Sequence, residues 1–438
     1  MAILTRDEAR EIMQKVIRLS KADHCEVSMQ GEEGGNIRYA RNTVTTSGEE
    51  QNTSLSVKSS YGKKSGTASI NEFDDDSLAK VVQRSEDLAE LAPENPEFME
   101  PLGPQEYQDS KTYTQSTADI TPDFRSEAAE NSITPSKKSG LISAGFLQDS
   151  AGFNAIMNNN GLYAYNQETE VDFSVTIRTE DGRGSGWVSR DYNDVSMLDT
   201  ATASQIAIDK ARGSADAVAL EPGKYTVILE PDASVGLLRS LFFGLNARPA
   251  DEGRSFMSKA GGGTKLGEKM FDERVNVYSD PFDDIVPRSP WTGSGLPLKR
   301  TSWIENGVVQ NLSYNRFWAK EKEVDPLPGP ANAIMIGGDK STQQLIETTE
   351  RGILVTRTWY IRMVDPQSLL LTGLTRDGTF YVEDGKIKHA VKNFRFNESP
   401  VIMLNNIEEF GKPVRCGGSL IPPMKIRDFT FSSLSDAV

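Results

Sequence analysis

The chain has 438 residues, 37% of them hydrophobic and 8% aromatic, with 63 acidic against 48 basic side chains and a net charge of -15. That length exceeds one ordinary core and the apolar content suffices for two packed domains, while the negative charge argues against nucleic acid as a partner, because counterion release needs clustered Lys and Arg. Two cysteines, Cys25 and Cys416, cannot build a disulfide framework, and two histidines, His24 and His389, leave no helix with the paired imidazoles of an H-E-x-x-H zinc peptidase. The first residues, MAILTRDEAR, contain no apolar signal segment, and no stretch approaches the roughly 18 apolar residues of a membrane span. These features predict a soluble, cytoplasmic protein.

In chain order, Thr5 and Glu8 form a T-x-x-E capping box, followed by Ala9, Ile12, Met13, Val16 and Ile17 at helical spacing, so an amphipathic helix opens the fold. His24 is expected at the end of that helix, where a partial positive charge is favourable. Alternating segments follow at 25–30, 37–46 and 53–70, the last with a Gly-Lys-Lys turn, and predict an antiparallel meander. Asp74 to Leu91 reads as a second helix, and the PENPEFMEP run after it as a surface linker. A polar helix is predicted over 122–136, then strands at 140–148, 154–166 with an Asn-Gly turn, and 170–179. Ser196 can cap a helix running to about Arg212, and SADAVALEPGKY marks a domain boundary.

The second half opens with strand YTVILEP, then ASVGLLRSLFFGLN, apolar almost all round and therefore predicted to be a buried helix. The rest is β-rich, with turns at Arg376-Asp377-Gly378 and Glu383-Asp384-Gly385. Generic catalytic signatures fail: AGGGTKLGEK (260–269) fits neither phosphate-binding glycine pattern and reads as a loop. WTGSGLP (291–297) and CGGSLIP (416–422) miss the G-x-S-x-G elbow and read as turns. A carboxylate pair working as a hydrolase has no positive support in the sequence.

Seven pieces of the second half, in order and spacing, carry a family resemblance: 232–247 (DASVGLLRSLFFGLNA), 265–281, 296–319, 354–366, 371–387, 391–399 and 424–431 (MKIRDFTF). They resemble the TldD/PmbA proteins, described as modulators of DNA gyrase and as metallopeptidases. The resemblance covers most of residues 220–438, whereas the first half matches mainly in its helix-then-meander layout. It implies an α+β protein of two domains, an N-terminal α/β-meander domain over 1–215 and a mainly β domain over 216–438.

In the family's catalytic subunits, the helix after the first strand of the second domain carries H-E-x-x-x-H, with a later cysteine as a further metal ligand. On this chain the histidine positions fall on Arg239 and Gly244, the glutamate on Ser240 and the cysteine on Cys416. A catalytic zinc needs three protein ligands and an open position, whereas Arg239 has no lone pair and Gly244 no side chain. The resemblance therefore implies that this chain binds no cofactor of its own and that zinc belongs to a motif-bearing partner. On a regular helix, positions 239 and 244 lie about 140° apart, so a shared metal requires a bulge or helix end there. If the register holds, Cys416 lies beside this helix, facing the side where residue 244 emerges. Arg239 either snorkels or pairs with a carboxylate, or puts its guanidinium in the vacated metal space. Cys416 is otherwise an inert buried thiol, His389 a surface or packing residue, and Trp303, Trp318 and Trp359 core side chains.

Taken together, the resemblance implies a non-catalytic or accessory subunit of a TldD/TldE-type metallopeptidase complex acting on unfolded peptides. Its partner would be a TldD-like subunit with the intact motif, and a homodimer would form when the chain is alone. The alternative is a free-standing peptide-binding homodimer without proteolytic activity, and a third reading is a divergent hydrolase with an unrelated carboxylate site. Nothing in the sequence selects a peptide substrate.

Overall fold

The computed structural model describes residues 3–435. Helix α1 (Arg6–Leu19) starts at the predicted capping box, with Thr5 and Glu8 reciprocally bonded, and buries Ala9, Met13 and Val16. The meander is longer than the sequence implied. β1 (His24–Ala40) runs through GEEGGN without a break, β2 (Thr43–Tyr61) returns beside it, and β3 (Lys64–Ile70) follows the Gly62-Lys63 turn. The glycines that read as a break serve close packing instead. A Cβ on Gly34 would overlap the Asp149 carbonyl, and one on Gly35 would overlap the Arg125 guanidinium. His24 thus opens β1, five residues past the end of α1, and its ring lies 6.0 Å from that of Phe98.

Asp74 caps α2 (Asp75–Leu91) as expected, a short turn α3 (Gln115–Ala118) follows, and α4 (Pro122–Lys138) leads into β4 (Leu141–Asn158). β5 (Tyr163–Thr179) follows the Asn-Gly turn, and β6 (Ser185–Tyr192) adds a strand that alternation did not reveal. The helix expected from Ser196 is α5 (Thr200–Gly213), capped by Asp199, whose carboxylate accepts from the Thr202 amide. These strands form one antiparallel sheet in the order β3-β2-β1-β4-β5-β6. One face is covered at one end by α1 and α2 and at the other by α4 and α5, over two separate apolar clusters. Between them the Arg125 guanidinium grips Asp149 at 2.6 and 2.9 Å, with both side chains about 95% buried. The opposite face is polar.

Residues 92–114 form a strap rather than a surface linker. Glu97 pairs with Arg248 at 2.7 Å, the Tyr107 hydroxyl donates to Gly295 O, and Ser110 donates to Pro281 O.

The second half begins with β7 (Gly223–Leu229) and α6 (Pro231–Gly244), then α7 (Ala247–Asp251) and the strands β8 (Val277–Ser279), β9 (Thr301–Glu305) and β10 (Val308–Val309). After α8 (Arg316–Glu321), β11 (Ile334–Met335) and α9 (Thr342–Glu347) come β12 (Arg351–Val355), β13 (Thr358–Asp365), β14 (Leu370–Thr375), β15 (Thr379–Glu383), β16 (Lys386–Ala390) and β17 (Phe394–Glu398). α10 (Pro400–Asn405), β18 (Ile407–Phe410), β19 (Val414–Cys416), β20 (Ser419–Ile421) and β21 (Met424–Leu434) complete it. They build a six-stranded sheet, β10-β9-β8-β11-β20-β19, and a nine-stranded one, β13-β14-β17-β21-β7-β12-β15-β16, in which β18 also pairs with β21. The predicted turns place Asp377-Gly378 and Asp384-Gly385 at positive φ. The architecture is α+β, with no described helix long and apolar enough to cross a membrane.

The helix predicted to be buried is buried on one side only. Ala233, Leu237, Leu238, Leu241 and Phe242 enter the main core, while Arg239 and Phe243 are exposed. Trp303 is core, Trp318 is partly buried with its indole N–H on Asp251, and Trp359 is exposed on the edge strand β13, contrary to expectation.

Candidate functional site

Two places converge on the contact between the halves: the outward face of α6 and the polar face of the first sheet.

On α6, Asp232, Val235 and Arg239 recur at helical spacing and line up beneath the β19–β20 turn. Gly417 and Gly418 both adopt positive φ there, so the chain reverses in two residues. The Cys416 thiol donates to Asp232 Oδ1 at 3.1 Å. Burial, then the adjacent Asp232 charge, pushes this thiol far above its ordinary range, and burial also raises the Asp232 carboxyl. Arg239 lies across the turn, its Nη2 3.2 Å from where a Gly417 Cβ would stand, and has no ion-pair partner among the described residues.

Cys416 therefore does lie beside the helix bearing Arg239, but its sulfur does not face residue 244. It meets the first turn of α6, and twelve residues of helix place Gly244 about 18 Å further along the axis and about 120° around it. Gly244 ends the helix, and a Cβ there would come 2.7 Å from Phe256 Cε1. Ser240 is partly buried, on the side of α6 away from the core. His24 and His389 lie elsewhere, on β1 and on β16 against Tyr381.

The turn is fastened to the first half. Arg415 donates through Nε to Asp191 Oδ2 at 3.0 Å and through Nη1 to Asn193 Oδ1 at 2.8 Å, while the Gly418 amide donates to the same Asp191 oxygen at 2.9 Å. Arg288 Nη2 donates to Gly418 O, and its Nε is buried without a partner among the described residues.

The polar sheet face is hollowed where small residues stand in register with long ones. Across the strands, Asn52, Glu32, Gly152 and Glu168 form one row, and Glu50, Gly34, Ser150 and Glu170 the next. The segment 287–294 of the second half roofs this face. Between floor and roof lies a cavity of 310 Å³ lined by Gln30, Glu32, Asn52, Glu168, Glu170 and Arg288. A second, of 460 Å³, shares Gln30, Asn154 and Glu168 with it and continues to Ser28, Ser56 and Trp291. A third, of 280 Å³, lies further along β1 and β2 at Glu26, Lys58 and Ser294. Burial raises the Glu26 and Glu168 carboxyls, and Asp172, next on the same face of β5, is pushed up to about 7 by burial and by Glu170 and Asp191. Neither the cavities nor these carboxylates were foreseen from the sequence. Their only linear signal is the period-two acidic run Glu168, Glu170, Asp172.

A long-stranded α+β sheet is strapped to a mixed β half and encloses polar cavities against it. Models of the PmbA/TldA metallopeptidase match the chain in tandem: domain 1 over residues 25–89, the central domain over 117–215 and the C-terminal domain over 222–433. The chain belongs to the PmbA/TldD metallopeptidase family. It is 20% identical to the metalloprotease PmbA of Escherichia coli O157:H7 over 97% of this chain and 98% of that one. A protein of Methanothermobacter thermautotrophicus described as a metalloprotease is 22% identical over 61% of this chain, which spans 62% of that relative's length. The fold is shared with TldE from Thermococcus kodakarensis (TM-score 0.87, 17% identity, 96% of this chain and 100% of that one). It is shared too with a Thermotoga maritima protein described as a modulator of a DNA gyrase (TM-score 0.86, 17% identity, 97% and 100%).

The family's metallopeptidase description implies a metal, and the residues around α6 do not fit one. Cys416 and Asp232 offer two donors already bonded to each other, no imidazole stands near, and no group of three His, Cys, Asp or Glu side chains is arranged to hold an ion among the described residues.

Proposed function

We propose that this chain is the accessory, non-hydrolytic subunit of a TldD/TldE-type metallopeptidase complex, cytoplasmic, with zinc and hydrolysis supplied by a motif-bearing partner. The observation that carries this reading is the donor set at α6. The positions that the family resemblance assigns to the ligands hold Arg239, Ser240 and Gly244, and the remaining thiol is engaged by Asp232. A partner is supported by apolar side chains left in solvent beside that helix: Phe243 is 78% exposed, and Trp359, Tyr360, Met363 and Val364 stand on the edge strand β13. Aromatic and Met side chains of this kind are enriched in protein interfaces. Two buried, unpaired cysteines support a reducing compartment. The substrate would be unfolded peptide, held in the channel over the first sheet.

The test mixes the purified chain with a TldD-like subunit. Light scattering should show a one-to-one complex with zinc only in the partner, and peptide cleavage should require both chains. One zinc per chain in this protein alone, with chelator-sensitive cleavage, would overturn the reading. Because the channel is built entirely by this chain, a free-standing peptide-binding homodimer is the second reading. It gains if peptide binds while no mixed dimer forms.

A further inference from the structure

Granted that the chain handles peptides, we propose that the channel between the first sheet and the 287–294 roof selects extended segments carrying Lys or Arg at alternate positions. The channel has the shape of such a segment. The two cavities that share lining residues follow β1 from Glu32 to Ser28, and the third, which shares none with them, stands on the same line at Glu26 and His24; end to end this is eight residue steps, about 26 Å at strand rise, the length of an extended peptide of about eight residues. Its middle is lined by neutral amides and hydroxyls, Gln30, Asn52, Asn154, Ser28 and Ser56, which bond peptide groups without reading sequence.

The charge at one end then sets the side-chain preference. Glu168, Glu170 and Asp172 project from one face of β5 at every second residue, a repeat of about 6.7 Å that an extended peptide shares. Glu32 faces them across the hollow at Gly152. None of the four has an ion-pair partner among the described residues, and Glu168 accepts a single side-chain bond, from Asn154 at 2.8 Å. Arg288 lines the same cavity and offsets part of this charge, but like charges in neighbouring positions still repel, so a further cation relieves a cost that remains. The carboxylates follow the strand instead of converging on a point, which suits a row of ammonium or guanidinium groups and not a single metal ion.

The experiment measures fluorescence anisotropy of labelled peptides about ten residues long on the full chain, with Lys, Gln or Glu at alternate positions. The Lys peptide should bind about tenfold or more tightly than the Gln peptide, and the gap should close as salt is raised from about 0.05 M to about 0.5 M. Glu168→Gln with Glu170→Gln should abolish the preference without lowering the melting temperature. The same charge change on α4, Glu127→Gln with Glu130→Gln, should leave it intact, separating the channel from the general acidity of the surface. Glu170→Lys should weaken binding of the Lys peptide more than Glu170→Gln does. Equal, salt-insensitive binding of Lys and Gln peptides would overturn the selection and leave peptide handling standing. A Lys preference that survives the Glu168/Glu170 change would also overturn it. Failure of all three peptides to bind would remove both this inference and the channel's role in the proposed function.

Discussion

The Arg415–Asp191 pair is the place to test whether the two halves act as one body. Arg415 is 4% exposed and Asp191 11% at the side chain, and together with Asn193 and the Gly418 amide they lock the β19–β20 turn onto β6. Replacing Arg415 by Met keeps the stem but strands a buried carboxylate. Such a loss costs about 3–5 kcal/mol when nothing else satisfies the charge. Here the Gly418 amide remains, which lowers the expectation to roughly 2–4 kcal/mol. For a unit of about 200 residues each kcal/mol moves the midpoint about 2–4 °C, so a fall of roughly 4–16 °C should be seen by calorimetry. Arg415→Met with Asp191→Leu should recover part of the loss, because no orphan charge is left, giving a coupling of about 2 kcal/mol. With the turn released, one of the ties between roof and floor is lost while Trp291 still packs on Ile156, Leu162 and Ala164, so the melt should broaden and binding in the channel should weaken. A coupling under about 0.5 kcal/mol with a single unshifted transition would refute the claim that this pair holds the halves together.

Two further outcomes follow from the perturbed groups. Burial and the neighbouring Glu170 and Asp191 raise Asp172 to about 7, so the folded state holds this proton more tightly than the unfolded chain. The stability it contributes is complete below the ordinary carboxylate value near pH 4 and is lost as pH rises through about 7. Asp172→Asn should therefore stabilise the protein at pH 8 and make little difference at pH 4, read as melting midpoints across that range; a constant difference would count against the shift. Burial raises Cys25 to about 11 and Cys416 further, so neither thiol should react with a disulfide reagent at pH 8 while the chain is folded, whereas unfolded protein should yield both. One fast thiol in the native state would contradict this.

What the sequence disclosed was local. The Thr5/Glu8 box, the Asp74 cap and the Asp377-Gly378 and Asp384-Gly385 turns involve residues within a few positions of one another, and each stands where its chemistry requires. What it hid depends on distant partners. GEEGGN reads as a break until Asp149 and Arg125 are seen packed against Gly34 and Gly35. β6 escaped notice because Gly186 interrupts its alternation, yet a Cβ on Gly186 would overlap the Ala207 carbonyl of α5. His24 was assigned to a helix end because nothing local shows that α1 stops at Leu19. The site was legible in part: the resemblance put Cys416 next to the Arg239 helix across 177 residues, while helical geometry turned position 244 toward Phe256. The channel was not legible at all, since its floor and roof are separated by more than a hundred residues.

The arrangement explains how such a fold keeps its stability under different chemistry on α6. The apolar residues that hold this helix, Ala233, Leu237, Leu238, Leu241 and Phe242, point into the main core, whereas Arg239 and Phe243 are exposed. A change on the outward side alters donors and charge without opening a cavity, so its cost is that of a surface substitution, within about 0.5 kcal/mol, and not the 2–5 kcal/mol of a core truncation. The Asp232–Cys416 bond adds a constraint of its own. It ties the first turn of α6 to the same turn that Arg415 and Gly418 fasten to Asp191, so α6, the roof and the first sheet share one junction. On the proposed reading, a peptide in the channel would press on that junction through Arg288, which lines the cavity and donates to Gly418 O. The outward face of α6 is in this way joined to the polar cavities although it lies outside them, which is the connection that the proposed accessory role would use.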